Sequence, residues 1–285
     1  MTKIPEPKHS IAAAIDKAHE DRQELPRHHM GCSVIGHKCE RYLWLSFRWA
    51  FYPKFPGRVL RLFRRGQLEE STIVSDLRAI GCNVIAEENG EQIRVDFGSF
   101  VSGSVDAVIT NGLPGAAKKM HVVEMKTHSK KSFESLLKEG VEKSKPQHYT
   151  QMQMYMKGLE IDRALYYAVC KDDDRIHTER IVYDPEFAQR MVDKGQRIAL
   201  DQRMPPPMAG ASKTWYECKF CDAYDLCWGS DYVESNCRTC KDCIPMASSE
   251  MGCAHWNALI PNEHQLAGCN EYERHPDLIE LVDLC

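Results

Sequence analysis

Gly103-Ser104-Val105-Asp106-Ala107-Val108-Ile109 and His121-Val122-Val123-Glu124-Met125-Lys126 are two apolar runs separated by the break Asn111-Gly112-Leu113-Pro114-Gly115. Short apolar runs flanking Gly and Pro predict adjacent strands joined by a turn. Side chains two apart on a strand share a face, so Glu124 and Lys126 lie side by side, roughly 7 Å apart at their alpha carbons. Asp106 on the neighbouring strand joins them. Two carboxylates bind a hard divalent cation through oxygen, and an ammonium beside them can hold a water or help deprotonate it. The same residues would also make an ordinary exposed ion pair, so in isolation they do not decide the chemistry.

The flanking pattern extends outward on both sides. Upstream, Arg58 to Ile80 predicts a long amphipathic helix that buries Val59, Leu62, Phe63, Ile73, Val74 and Leu77, with Gly81 ending it. Cys82 to Ala86 and Gln92 to Phe97, around Glu88-Asn89-Gly90, predict a hairpin leading into the Asp106 strand. Downstream, Ser132 to Glu139 and Pro146 to Leu159 read as helices, and the second places Gln151 and Tyr155 on one face. Ala164 to Val169 and Ile176 to Tyr183 read as strands, and Pro185 opens another helix that stops at Met204-Pro205-Pro206-Pro207. Near the start, Ser10 is expected to cap a helix from Ile11 to about Glu20. The aromatic segment Tyr42 to Trp49 reads as helix core, and His28, His29 and His37 as loop histidines.

Four stretches, in this order, resemble the PD-(D/E)XK nuclease superfamily in its RecB-like and lambda-exonuclease-like branch. They are Phe63-Arg64-Arg65-Gly66-Gln67-Leu68-Glu69-Glu70, Gly103-Ser104-Val105-Asp106, Glu124-Met125-Lys126 and Gln151-Met152-Gln153-Met154-Tyr155. Val105 stands where the superfamily's name expects proline, which many members of this branch lack. The resemblance implies an α/β fold with a restriction-endonuclease-like core, a central mixed sheet flanked by helices. It implies a metal-dependent DNA nuclease, an exonuclease of recombination, replication or repair. Glu70, Asp106, Glu124 and the Met125 carbonyl would hold Mg²⁺ or Mn²⁺, Lys126 would orient or activate the attacking water, and Gln151 and Tyr155 would support the site. A single-strand annealing or replication protein is the implied partner class besides DNA.

The chain has 285 residues, 43% hydrophobic and 27% charged, enough for one substantial domain plus a small appendage. Its net charge of −4 gives no global attraction to nucleic acid, but Arg58, Arg61, Arg64 and Arg65, and Lys130, Lys131, Lys138, Lys143 and Lys145, can supply a local one. No signal-peptide pattern or membrane-spanning run is evident, so a cytoplasmic protein is expected. In a reducing compartment, 13 cysteines point to metal ligation. Cys218, Cys221 and Cys227 form one group, Cys237, Cys240, Cys253 and Cys269 another, with His255 an alternative ligand and Cys243 and His275 as bystanders. Cys32, Cys82, Cys170 and Cys285 read as plain small residues. Thiolates suit iron-sulfur clusters and zinc alike. The resemblance implies that Cys39, in Cys39-Glu40-Arg41, is the fourth ligand of a [4Fe-4S] cluster with the first group, and it extends to phage-encoded nucleases with a cysteine-rich tail. The expected division is a nuclease domain over 1–229 and a zinc-binding tail over 230–285. Two rival readings are a DNA-binding scaffold without catalysis and a cysteine-based metal or redox sensor.

Overall fold

The computed structural model describes residues 10–22, 25–228 and 232–283, apart from the side chains of 280–283. Cys285 and the expected boundary at 229–230 lie outside the described residues. The chain begins with α1 (Ile11–Glu20), β1 (Met30–Gly31), α2 (Cys32–Ile35), α3 (Glu40–Phe47) and α4 (Gly57–Ala79). Strands β2 (Asn83–Ile85), β3 (Glu87–Glu88), β4 (Glu91–Gly98), β5 (Val101–Val105), β6 (Ala107–Asn111) and β7 (His121–His128) follow. Then come α5 (Lys130–Ser144), α6 (Pro146–Leu159), β8 (Arg163–Cys170), β9 (Ile176–Val182) and α7 (Pro185–Leu200). The remainder holds α8 (Tyr216–Lys219), α9 (Tyr224–Trp228), β10 (Cys243–Pro245), β11 (Met251–Cys253), β12 (Ala258–Ile260) and α10 (Pro276–Asp283).

A mixed five-stranded sheet, in the order β2-β6-β7-β8-β9, carries the site. Strands β7 and β8 are parallel, which requires the crossover through α5 and α6, while their other neighbours are antiparallel. Both faces of β7 and β8 are covered, and this explains their near-continuous apolar character. Val123, Met125, Leu165, Tyr167 and Val169 pack with Ile73, Val74 and Leu77 of α4, and Val122, Ala164, Tyr166 and Ala168 join the larger core that includes α6.

The expected antiparallel pair forms, with Ala107 opposite Val123 and Ile109 opposite His121. The first strand, however, is not continuous. The chain leaves a four-stranded sheet, β1-β5-β4-β3, at Val105 and enters the five-stranded one at Ala107, so Asp106 is the corner between them. The upstream hairpin is β3–β4, turning through Asn89 and Gly90 with φ of 55° and 82°, the left-handed pair that a tight hairpin turn uses. Strand β2 pairs with β6 instead.

Helix α4 matches its expected span, and Gly81 follows at φ 91°. Its N-terminal half differs from expectation, since Leu62 and Phe63 are 37% and 50% exposed. At 23 residues the helix is roughly 34 Å long, and only its C-terminal part lies on sheet. The other half meets α1, through an Arg61–Asp16 ion pair and a Gly57 N–H donated to Glu20 at 2.8 Å. Ser10 makes no side-chain cap to α1. Helix α5 starts two residues earlier than expected and breaks after Glu139 as expected, at Gly140 with φ 72° and ψ 173°, before a short second helical piece to Ser144.

The cysteine-rich C-terminal segment is keyed into the N-terminal half. Arg238 is fully buried, its guanidinium carbon 3.9 Å from the centre of the Trp49 ring. It donates to Gln265 Oε1 at 2.8 Å, Phe47 O at 3.0 Å and His28 O at 2.9 Å. Asn236 donates to Trp49 O at 3.0 Å, and Ser249 Oγ accepts from Phe100 N at 2.8 Å. Among the described residues no helix is long and apolar enough to cross a membrane.

Candidate active site and cysteine pockets

The sheet corner and β7 bring the acidic pair and the lysine together. Asp106 Oδ2 accepts from Met125 N at 2.8 Å and lies 3.8 Å from Lys126 Nζ. Lys126 forms an ion pair with Glu124 Oε1 and donates to the Met125 carbonyl at 3.2 Å. That carbonyl, expected to face a metal ion, is therefore engaged by the lysine. The Glu124 side chain is 0% exposed, while 28% of the Lys126 side chain remains open.

Burial pushes the Glu124 carboxyl up to about 8, with Lys126 pulling it down and Asp106 adding to the rise. Glu70 is raised to about 7, first by burial and then by Asp106, which places its carboxyl in the same field. Burial pulls Lys126 down, but Glu124 and Asp106 outweigh it and hold the lysine above its ordinary range. The lysine thus stays an ammonium at neutral pH and donates hydrogen bonds.

Glu124 Oε1 is paired with Lys126, and Oε2 has no hydrogen-bond partner. A fully buried carboxyl with open lone pairs is costly unless something completes it. Its hard oxygen chemistry, with Asp106 and Glu70 beside it, suits a small divalent cation. As the side chains stand, no three His, Cys, Asp or Glu groups among the described residues make an ion-holding set.

Gln151 and Tyr155 take supporting positions. Gln151 Nε2 donates to the Tyr155 hydroxyl at 2.9 Å, and that hydroxyl donates to Ser104 O at 2.5 Å, two residues before Asp106. Helix α6 is so tightly seated that a Cβ on Gly103 would lie 2.8 Å from Tyr155 Cε1 and 2.9 Å from Cys32 Sγ. Glycine at that motif position answers a close approach.

The cysteines gather at two cavities. One, of about 500 Å³, is lined by Cys39, Cys218, Cys221 and Cys227 together with Arg41 and Tyr42. Burial pushes the Cys227 thiol up to about 12, opposed by Arg41 and reinforced by Cys221, Cys39 and Cys218. The other, of about 360 Å³, is lined by Cys237, Cys240, Cys253 and Cys269. Cys237 is likewise raised, by burial and then by Cys269, Cys240 and Cys253. His255 does not line this cavity and lies edge-on to Trp256, with ring centres 4.7 Å apart. Cys243 does line it, as does His264, which no spacing pattern in the sequence marked. His275 packs instead against Trp44, and Cys32, Cys82 and Cys170 are buried.

No protein-family model matches the chain, and no curated protein matches it. Solved structures that match this chain include SSO0001, at 17% identity and a TM-score of 0.45, over 78% of this chain and 98% of that one. An alkaline exonuclease, LHK-Exo, from Laribacter hongkongensis matches at 14% identity and a TM-score of 0.43, over 64% and 90% of the two chains. A phage-related exonuclease from Haemophilus somnus 129PT matches at 18% and 0.41, over 63% and 96%. Likeness at this level carries no inference about activity.

Proposed function

We propose that this protein is a divalent-metal-dependent DNA nuclease, an exonuclease working in recombination, replication or repair. The observation that carries the reading is the buried, hydrogen-bond-deficient Glu124 carboxyl beside Asp106, Lys126 and Glu70. Glu124, Asp106 and Glu70 would hold Mg²⁺ or Mn²⁺, which would supply Lewis acidity at the scissile phosphate. Lys126, held as an ammonium, orients the attacking water by donating to it and offsets charge developing on the phosphate oxygens. Met125 N–H fixes the rotamer of Asp106, and the Gln151–Tyr155–Ser104 chain fixes the strand end that delivers it. The decisive experiment is incubation of end-labelled linear and closed circular DNA with purified protein and Mg²⁺ or Mn²⁺. Loss of label from linear DNA alone supports an exonuclease, and no cleavage of either rejects the reading.

The two cysteine cavities fit staples. Cys39, Cys218, Cys221 and Cys227 would hold a [4Fe-4S] cluster tying the N-terminal segment to α8 and α9, and Cys237, Cys240, Cys253 and Cys269 would hold zinc. In both cases the thiols surround one cavity but must close inward to ligate. Anaerobically purified protein should contain iron, lost in Cys39→Ser, and zinc, lost in Cys240→Ser. Unchanged metal content in either variant removes that ligand set.

A further inference from the structure

Tyr166 belongs to none of the four motifs, yet its hydroxyl is the centre of a buried polar chain. It lies opposite Glu124 in the parallel β7/β8 register, so its side chain leaves the same sheet face as Glu124 and Lys126. The residue is 0% exposed. Its hydroxyl is 2.8 Å from His128 Nε2 and 2.8 Å from His148 Nδ1, and His128 Nδ1 is 3.1 Å from Ser132 Oγ. His128 is two residues beyond Lys126 on the same strand face, and His148 is in the first turn of α6.

A hydroxyl carries one proton, so Tyr166 donates to one imidazole and accepts from the other. Two proton orders satisfy the chain, running either from Ser132 towards His148 or the reverse. In both, each nitrogen of His128 is occupied. Burial, then Lys145 and Lys126, depress His128 to about 4; burial, then Lys126, depresses His148 to about 3. Both rings are therefore neutral, and a neutral imidazole nitrogen left free beside Lys126 would compete for its ammonium. The contacts Lys126 makes are instead with Glu124, Asp106 and the Met125 carbonyl.

We propose that Tyr166 is a positioning residue of the active site. By occupying Nε2 of His128, whose Nδ1 is already taken by Ser132, it leaves Lys126 no acceptor on that ring and keeps the ammonium directed at Glu124 and Asp106. The inference rests on the nuclease reading, and it adds a residue that acts through the lysine without touching substrate.

The test compares Tyr166→Phe with the double variant Tyr166→Phe/His128→Leu. The single variant frees His128 Nε2 and should lower kcat for DNA cleavage about tenfold while leaving KM for DNA unchanged. The double variant removes the competing acceptor and should recover part of that loss. A merely structural tyrosine would make the double variant no better than the single, and that result overturns the proposal. Crystal structures of the metal-free proteins give a readout independent of cleavage. Lys126 Nζ should lie at Glu124 in the wild type and at His128 in Tyr166→Phe, and an unmoved lysine also overturns the proposal. If the wild type cuts no DNA, the nuclease reading fails, and the position of the lysine still decides this one. Should Tyr166→Phe not fold, long-range ¹⁵N–¹H spectra of the wild type decide. A neutral His128 with both nitrogens hydrogen-bonded from about pH 6 to about pH 8 supports the chain, and a titrating His128 there removes it.

Discussion

Two regions of this molecule bury an ionisable group completely, and they treat it in opposite ways. Arg238 is enclosed by Trp49 and Phe47, and its Nε, Nη1 and Nη2 each donate to a neutral oxygen. Glu124 is equally inaccessible, but Lys126 pairs with Oε1 alone and Oε2 has no hydrogen-bond partner. A buried group whose hydrogen bonds are made holds a structure together, whereas an incomplete carboxyl among other ionisable groups suits a ligand. An orphaned atom alone does not, since Arg48 Nε, beside Arg238, also lacks a partner.

The largest expected effect is on rate. Glu124→Gln keeps the shape and removes the charge, and should lower metal-dependent DNA cleavage on the order of 1,000-fold, the scale of several kcal/mol of transition-state stabilisation. Because Lys126 keeps Asp106 and the Met125 carbonyl, the substitution should cost less stability than the loss of Arg238. Full cleavage, or a larger loss of stability, would break the comparison. Arg238→Met should do the reverse. It orphans the carbonyls of Phe47 and His28 and Gln265 Oε1, at about 1–3 kcal/mol each. Chemical denaturation should therefore show a loss of about 3 kcal/mol or more, with kcat per folded molecule near that of the wild type.

The smallest effect sharpens the difference through pH. Without metal, Glu124 and Glu70 hold protons up to about 8 and about 7, against an ordinary 4.5. The native chain therefore binds more protons than the unfolded one in that range, and stability falls as pH rises. His128 and His148, and with them His28, His29, His37, His121 and His275, are depressed in the fold and act in the opposite sense around their unfolded value of 6.5. Between about pH 7.5 and about 8, where the histidines are neutral in both states, thermal melts in chelator should thus show falling stability, and Mg²⁺ should flatten the slope. A flat profile in chelator would mean that Glu124 is already compensated.

Much of the site was legible because it is local. Asp106 and Glu124 sit on a hairpin, and Gln151 and Tyr155 on one helix turn, so period and turn residues placed them. The break at Asp106 was not legible, since a chain that changes sheets there keeps the same apolar pattern from Val105 to Ile109. The exposed half of α4 misled for a related reason. An amphipathic stripe shows that a helix can bury a face, and Leu62 and Phe63 have no sheet beneath them. Tyr166, His128 and His148 come from separate elements, and a single histidine or tyrosine in an apolar run carries no sign of the other two. Arg238 reads as an ordinary surface charge until Trp49 and Phe47 are placed around it.

The sequence separations also bear on the order of assembly. The β6–β7 hairpin closes a short loop, so the two carboxylates can meet as soon as that segment exists, while the bond from Arg238 to His28 spans 210 positions. Loop-closure entropy and synthesis from the N-terminus both put the second event later. On a ribosome, the acidic pair would form while the arginine that locks the N-terminal half is still unmade, leaving a nascent chain whose costly carboxyl precedes its main fastening. Divalent cations present during synthesis would relieve that cost at the stage when the chain has least else to hold it.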